Sequence, residues 1–259
     1  MKNIIGIAIF SVLSAATLPA NAESNSNNAV SAINGELSLA GGTKQGDGNI
    51  TVGGILDIPV MENYGLQLDT LYSDSGSRNA GGFGAHYFYR DPKSFLAGAT
   101  AAWYDVDGTD IFRVGAEAEF YIDDFTIAPS FGVQNGSAYD NNTGYGNLNL
   151  SYYPEDNIKL SLSGNRYSNK DGAAIKAEWQ PDETTPLSVY LTAGDSEESK
   201  GFALFGLRYS FGTEGQSLKH RHRYSDPENL LESMDNLFGD SISRDAIAAE
   251  RAPGFGGGS

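Results

Sequence analysis

Between residues 35 and about 212 the chain repeats one unit: a run of about 9 to 13 residues with alternating polarity, closed by a turn rich in Asp, Asn, Gly, Ser or Pro. Alternation at every second residue sorts side chains onto two faces of an extended strand, whereas a helix would need a spacing near 3.6. In the sixth run Phe112, Val114, Ala116, Ala118, Phe120 and Ile122 share one face, and Arg113, Gly115, Glu117, Glu119 and Tyr121 share the other. The second run splits in the same way (Val52, Leu56, Ile58 and Val60 against Thr51 and Asp57), as does the ninth (Ile158, Leu160 and Leu162 against Lys159, Ser161 and Ser163). The tenth sets Ala173, Ile175, Ala177 and Trp179 against Lys176 and Glu178. Twelve such runs fall at about 35–42, 49–60, 64–73, 80–90, 94–104, 109–122, 124–134, 143–153, 157–167, 171–179, 185–194 and 199–212. An all-β chain follows.

Alternating strands build soluble sandwiches as well as transmembrane barrels. Length favours the barrel, because these runs match the ~9 to 11 residues that a tilted strand needs to cross a bilayer, while ordinary strands average about 5 to 6. Turn lengths favour it too: connections after odd runs, such as residues 74–79 and 135–142, read as longer than tight turns such as 61–63, 91–93 and 154–156. Aromatic residues collect at both strand ends, with Tyr64, Tyr89, Phe95, Phe120, Phe125, Tyr152, Trp179 and Phe211 at one and Tyr72, Trp103, Phe112, Tyr145 and Tyr167 at the other. Paired belts of this kind suit the two interfaces of a membrane.

Residues 1–22 carry Lys2, an apolar stretch and a small-x-small site at Ala20-Asn21-Ala22, which reads as a secretory signal peptide. Residues 23–34 then read as a polar lead-in outside the fold, residues 35–212 as the barrel, and residues 213–259 as a periplasmic tail. Within that tail Asp226-Pro227-Glu228 starts a short amphipathic helix with Leu230, Leu231, Met234, Leu237 and Phe238 on one face, and Gly239 ends it. An even strand count puts both barrel ends in the periplasm.

The last run, Gly206-Leu207-Arg208-Tyr209-Ser210-Phe211, resembles the terminal strand of bacterial outer-membrane β-barrel proteins, with a glycine followed at three and five residues by aromatics. The resemblance covers about residues 35–212 and implies an outer-membrane protein of the Gram-negative envelope, porin-like, with Gly206, Tyr209 and Phe211 as the insertion signal read by the barrel-assembly machinery. Outer-membrane lipid and lipopolysaccharide are its further implied partners, and the tail could meet a periplasmic partner. Two features depart from the pattern: Leu204 stands on the inward face, and residues follow Phe211.

Composition narrows the chemistry. With 33 acidic against 17 basic residues and a net charge of -16, nucleic acid is not an expected partner. The absence of Cys excludes disulfides, thiolate nucleophiles and Cys-ligated metals, and three His leave little for a histidine metal site. Outer-membrane lipid hydrolases place Ser and His two residues apart on one strand, but His86 has Gly84 and Phe88 at that spacing. No catalytic residue, metal site or cofactor is therefore expected. Asp105-Val106-Asp107-Gly108-Thr109-Asp110 reads as a solvated Asp-Gly hairpin turn and, with Asp140, Asp195, Glu197 and Glu198, makes the outer rim acidic.

By phase, Asp57, Asp69, His86, Arg90, Arg113, Glu117, Glu119, Lys159, Lys176, Glu178 and Arg208 face the lumen. Charges of both signs either pair across it or line a hydrophilic path. The expected protein is thus a twelve-stranded antiparallel up-and-down barrel, acting as a small porin-like channel for hydrophilic solutes or as a structural outer-membrane protein. A soluble secreted or surface-attached β-protein that binds a ligand or another cell is the alternative.

Overall fold

The computed structural model describes residues 28–238, apart from 77, 138–141, 168–169, 198–200 and 226. The expected signal peptide, Asp140, Glu198, Asp226 and Gly239 lie outside the described residues.

Twelve strands follow one another: β1 Asn34–Lys44, β2 Asp47–Met61, β3 Tyr64–Asp74, β4 Asn79–Asp91, β5 Phe95–Val106, β6 Thr109–Ile122, β7 Phe125–Gly136, β8 Thr143–Glu155, β9 Ile158–Tyr167, β10 Lys170–Trp179, β11 Leu187–Ser196 and β12 Phe202–Phe211. Each pairs antiparallel with its neighbour in sequence, and β12 closes on β1 from Gly35↔Phe211 to Lys44↔Phe202. Closure leaves no strand edge to be satisfied by lipid. Both ends of the barrel chain, Asn34 and Phe211, stand at one mouth, called here the near mouth.

Short turns occur at both mouths, and so do longer connections, 137–142 and 197–201 at the far mouth and 180–186 at the near one. Residues 45–46 and 107–108 make two-residue hairpins with positive φ at Gln45 (58°), Gly46 (93°), Asp107 (52°) and Gly108 (87°), the conformation of the hairpin turns whose twist matches the strands. Two-residue connections at 62–63, 123–124 and 156–157 close the near mouth. The expected asymmetry of loop length is therefore slight, because the strands extend further into the polar segments than their apolar faces reveal.

The outer wall carries the apolar set. Phe131 is 65% exposed, Ile175 62% and Leu191 57%, values that make sense only if this surface meets lipid. Aromatic contacts mark its ends: near the near mouth Phe125 stacks on Tyr152 at 4.8 Å and Tyr64 on Tyr87 at 5.8 Å, and towards the far mouth Phe83 stacks on Trp103 at 6.0 Å. A concavity of about 400 Å³ also lies on this outer wall, between Leu37, Val52, Leu207 and Tyr209.

Two sequence expectations fail at the termini. The lead-in is not outside the fold from residue 28 onward: Ala29 and Val30 are buried in the near mouth against Phe88, Leu96 and Tyr121, and the Ala29 amide donates to the Glu62 carbonyl at 2.7 Å. Apolar Val30 has no better place to leave water. Nor is the tail an appendage. A helix α1, Leu218–Tyr224, lies at the near mouth, and the chain then enters the lumen as a short helix α2, Leu230–Ser233, continued by a π-helical turn over Met234–Phe238. Its cap is Asn229, whose side chain accepts from the Leu231 amide, rather than the expected Asp226-Pro227 start.

Candidate functional site: the plugged lumen

All eleven charged or titratable residues of the inward set lie on the inner wall. The strand period places them there, and five of them, Asp69, Lys159, Lys176, Glu178 and Arg208, take partners from the C-terminal segment. Glu228, Glu232 and Asp235 are spaced at four and three residues, and each lands on a basic wall residue.

At the near mouth Arg221 of α1 is buried, 3.6 Å from Glu178 and 3.9 Å from Glu36. Lys219 reaches Asp124 at 2.7 Å and Asp156 at 3.6 Å, and its hydrogen bond holds the Asp124 carboxyl below the usual range. Arg223 donates to the Phe125 carbonyl at 2.8 Å and covers the rings of Tyr121 and Tyr153. The Ser217 hydroxyl caps the helix by accepting from the His220 amide. The basic cluster at 219–223 thus folds α1 onto the short turns of the near mouth.

Just inside, Glu228 pairs with Lys159 and accepts from Asn149. At mid-height the Leu230 amide donates to Asp69 at 2.8 Å. Asp69 meets His86 Nε2 at 2.9 Å, and His86 Nδ1 lies 2.9 Å from Glu117, so the imidazole bridges two carboxylates. Glu232 binds Lys176 at 2.6 Å and Arg208 at 2.7 Å, and Arg208 also meets Glu178 at 3.2 Å and Glu36 at 3.4 Å. Near the far mouth Asp235 is buried between Lys44 and Arg78 (3.2 Å) and accepts from the Tyr104 hydroxyl at 2.7 Å.

An apolar seam accompanies the ionic one. Leu231 and Met234 are fully buried against Leu71, Tyr104, Ile111, Phe202 and Leu204. Leu204, anomalous for a water-filled lumen, therefore faces the plug. Breaking such contacts or leaving one ion of a buried pair alone is costly, about 3 to 5 kcal/mol for the latter, so the segment is held at several heights.

The remaining members of the inward set serve the wall itself. Arg113 donates to Gln134 at 2.7 Å and stacks on Tyr145, 4.7 Å from its centroid. Arg90 donates to the Ala29 carbonyl at 3.0 Å, Glu119 accepts from Tyr121 at 2.8 Å, and Asp57 is buried on β2. Gly206 faces inward and has no room for a side chain, since a Cβ there would sit 2.3 Å from the Tyr190 ring, on which Arg208 stacks at 4.6 Å. Tyr209 and Phe211 point outward, Tyr209 opposite Leu37 and Leu187, Phe211 opposite Gly35.

Beside the plug, small voids remain in the lumen among the described residues. One of about 60 Å³ lies against Ser161, Ser163 and Thr192, another of about 60 Å³ against His86, Ser130 and Asn147, and a third of about 10 Å³ next to Arg113 and Asn165. The two larger spaces hold a few waters each, and the smallest holds at most one. Sequence reasoning missed Glu36, Lys44, Arg78, Glu228, Glu232 and Asp235. For the last three the usable signal was the acidic stripe at helical spacing, which mirrors the basic residues of the inward set.

No protein-family model matches the chain. No curated protein matches it significantly. Solved structures share its architecture. The KdgM porin in complex with disordered oligogalacturonate aligns over 68% of this chain and 99% of its own, with a TM-score of 0.56 at 13% identity. A crystal structure of an outer membrane channel from Pseudomonas putida F1 aligns over 69% and 95%, with a TM-score of 0.52 at 9% identity. At such identities the likeness is one of fold: this chain has the closed antiparallel barrel of outer-membrane porins and channels.

Proposed function

We propose that the protein is an outer-membrane, porin-like channel for small hydrophilic solutes whose lumen is closed by its own C-terminal segment. The apolar outer wall, the two aromatic belts and the shared fold support an outer-membrane location, with both barrel ends and α1 on the periplasmic side. Lipopolysaccharide contact and delivery by the barrel-assembly machinery through β12 belong to the same reading. The observation that carries closure is the row of three plug carboxylates seated on Lys159, on Lys176 with Arg208, and on Lys44 with Arg78. His86, fixed between two carboxylates, acts as a structural bridge in this reading and not as a base.

Planar-bilayer recording of two chains tests it. The full chain should show little steady conductance, and a chain ending at Gly212 should conduct. A truncated barrel that inserts and stays silent would leave the second reading, a structural outer-membrane protein, which the density of ion pairs inside the lumen favours.

A further inference from the structure

The three ion pairs of the plug are strung along the barrel axis in chain order. Lys219 contacts the near turns at Asp124 and Asp156, and Glu228 meets Lys159, the second residue of β9 from that same mouth. Leu230 reaches Asp69, in the middle of β3. Asp235 reaches Lys44, the last residue of β1 at the far mouth, and Arg78, in the far connection between β3 and β4. Asn236, next in the chain, lines a small void together with Phe202, the first residue of β12 at the far mouth. The segment does not dip into the near mouth and turn back: between residues 219 and 235 it crosses the whole barrel.

We infer that the C-terminal segment is a transmembrane thread, anchored at the periplasmic mouth by α1 and delivering the chain that follows to the outer mouth, where it is open to the cell exterior. This rests on the outer-membrane reading, since the barrel's position decides which mouth faces outward. Its construction fits the role. The anchor is strong on the near side, where Arg221 is buried between Glu36 and Glu178, so the thread is stopped from slipping outward. At the other end, among the described residues, the ionic hold is Asp235, with Leu231 and Met234 beneath it.

The chain has no cysteine, so single cysteines report topology cleanly. Intact cells carrying the full chain would be treated with a membrane-impermeant maleimide in three variants: a cysteine appended after Ser259, Asp107→Cys in a far turn, and Glu214→Cys beside the near mouth. The thread requires labelling of the appended cysteine and of Asp107→Cys on intact cells, and of Glu214→Cys only after the outer membrane is permeabilised. If Asp107→Cys labels on intact cells while the appended cysteine needs permeabilisation, the thread is wrong and the outer-membrane reading stands. If Asp107→Cys itself needs permeabilisation, the orientation is wrong and the thread falls with it. Heat-dependent gel mobility of each variant certifies a folded barrel.

Discussion

Asp235→Asn isolates the charge at the far end of the plug. Asparagine keeps the size of the side chain and an oxygen for the Tyr104 hydroxyl, so packing changes little and the loss is the negative charge between Lys44 and Arg78. Both cations are nearly inaccessible to solvent, at 2% and 5% exposure of their side chains. Removing one member of a buried ionic cluster costs about 3 to 5 kcal/mol, because the charges left behind stay desolvated. At about 1.4 kcal/mol per tenfold change, the equilibrium between docked and released far segment should shift roughly a hundred- to a few thousand-fold towards release. Planar-bilayer recording reads this as frequent openings where the parent chain is quiet. Adding Lys44→Met should recover part of the loss, since the stranded cation is removed with its partner. Openings as rare in Asp235→Asn as in the parent, in a chain whose truncation at Gly212 does conduct, would refute the idea that Asp235 locks the plug.

Further outcomes can be checked by assembly and cross-linking. Ala116→Arg, on the lipid face of β6, should cost about 2 to 4 kcal/mol near mid-membrane and reduce the heat-modifiable form on gels, while Glu117→Gln, one residue away on the inner wall, should be tolerated; equal effects would mean that the faces are misassigned. Gly206→Val should lower the thermal midpoint by forcing Tyr190 from its seat, whereas Gly164→Ala, with nothing within 4 Å of its added carbon, should leave the midpoint unchanged. Lys176→Cys with Glu232→Cys, whose parent side chains meet at 2.6 Å through their long arms, should be joined in the folded chain by a short bifunctional maleimide, and neither single variant should. Deletion of residues 213–259 should preserve assembly, and Tyr209→Ala with Phe211→Ala should impair it, as seen by outer-membrane fractionation.

Period-two alternation determined the strands and their faces, because which side of a strand a residue occupies depends only on its own phase. The sixth run, expected at 109–122, is β6 Thr109–Ile122, and Arg113, Glu117 and Glu119 stand on its inner side. Even the outer girdle was legible, since Phe125 and Tyr152 needed only their places near strand ends. Phase says nothing of what fills the enclosed space. Glu228, Glu232 and Asp235 acquire meaning only beside Lys159, Lys176 and Lys44, which lie 69, 56 and 191 residues away in the chain and come close only after the barrel has closed. Leu204 belongs to the same class: wrong for an aqueous pore by pattern, right once Leu231 and Met234 cover it. Val30 likewise leaves water only because Phe88 and Leu96 line the near mouth that receives it. The wall was thus written in local periodicity, and the plug was decided by closure, which brings buried charges and apolar side chains within reach of the partners that satisfy them.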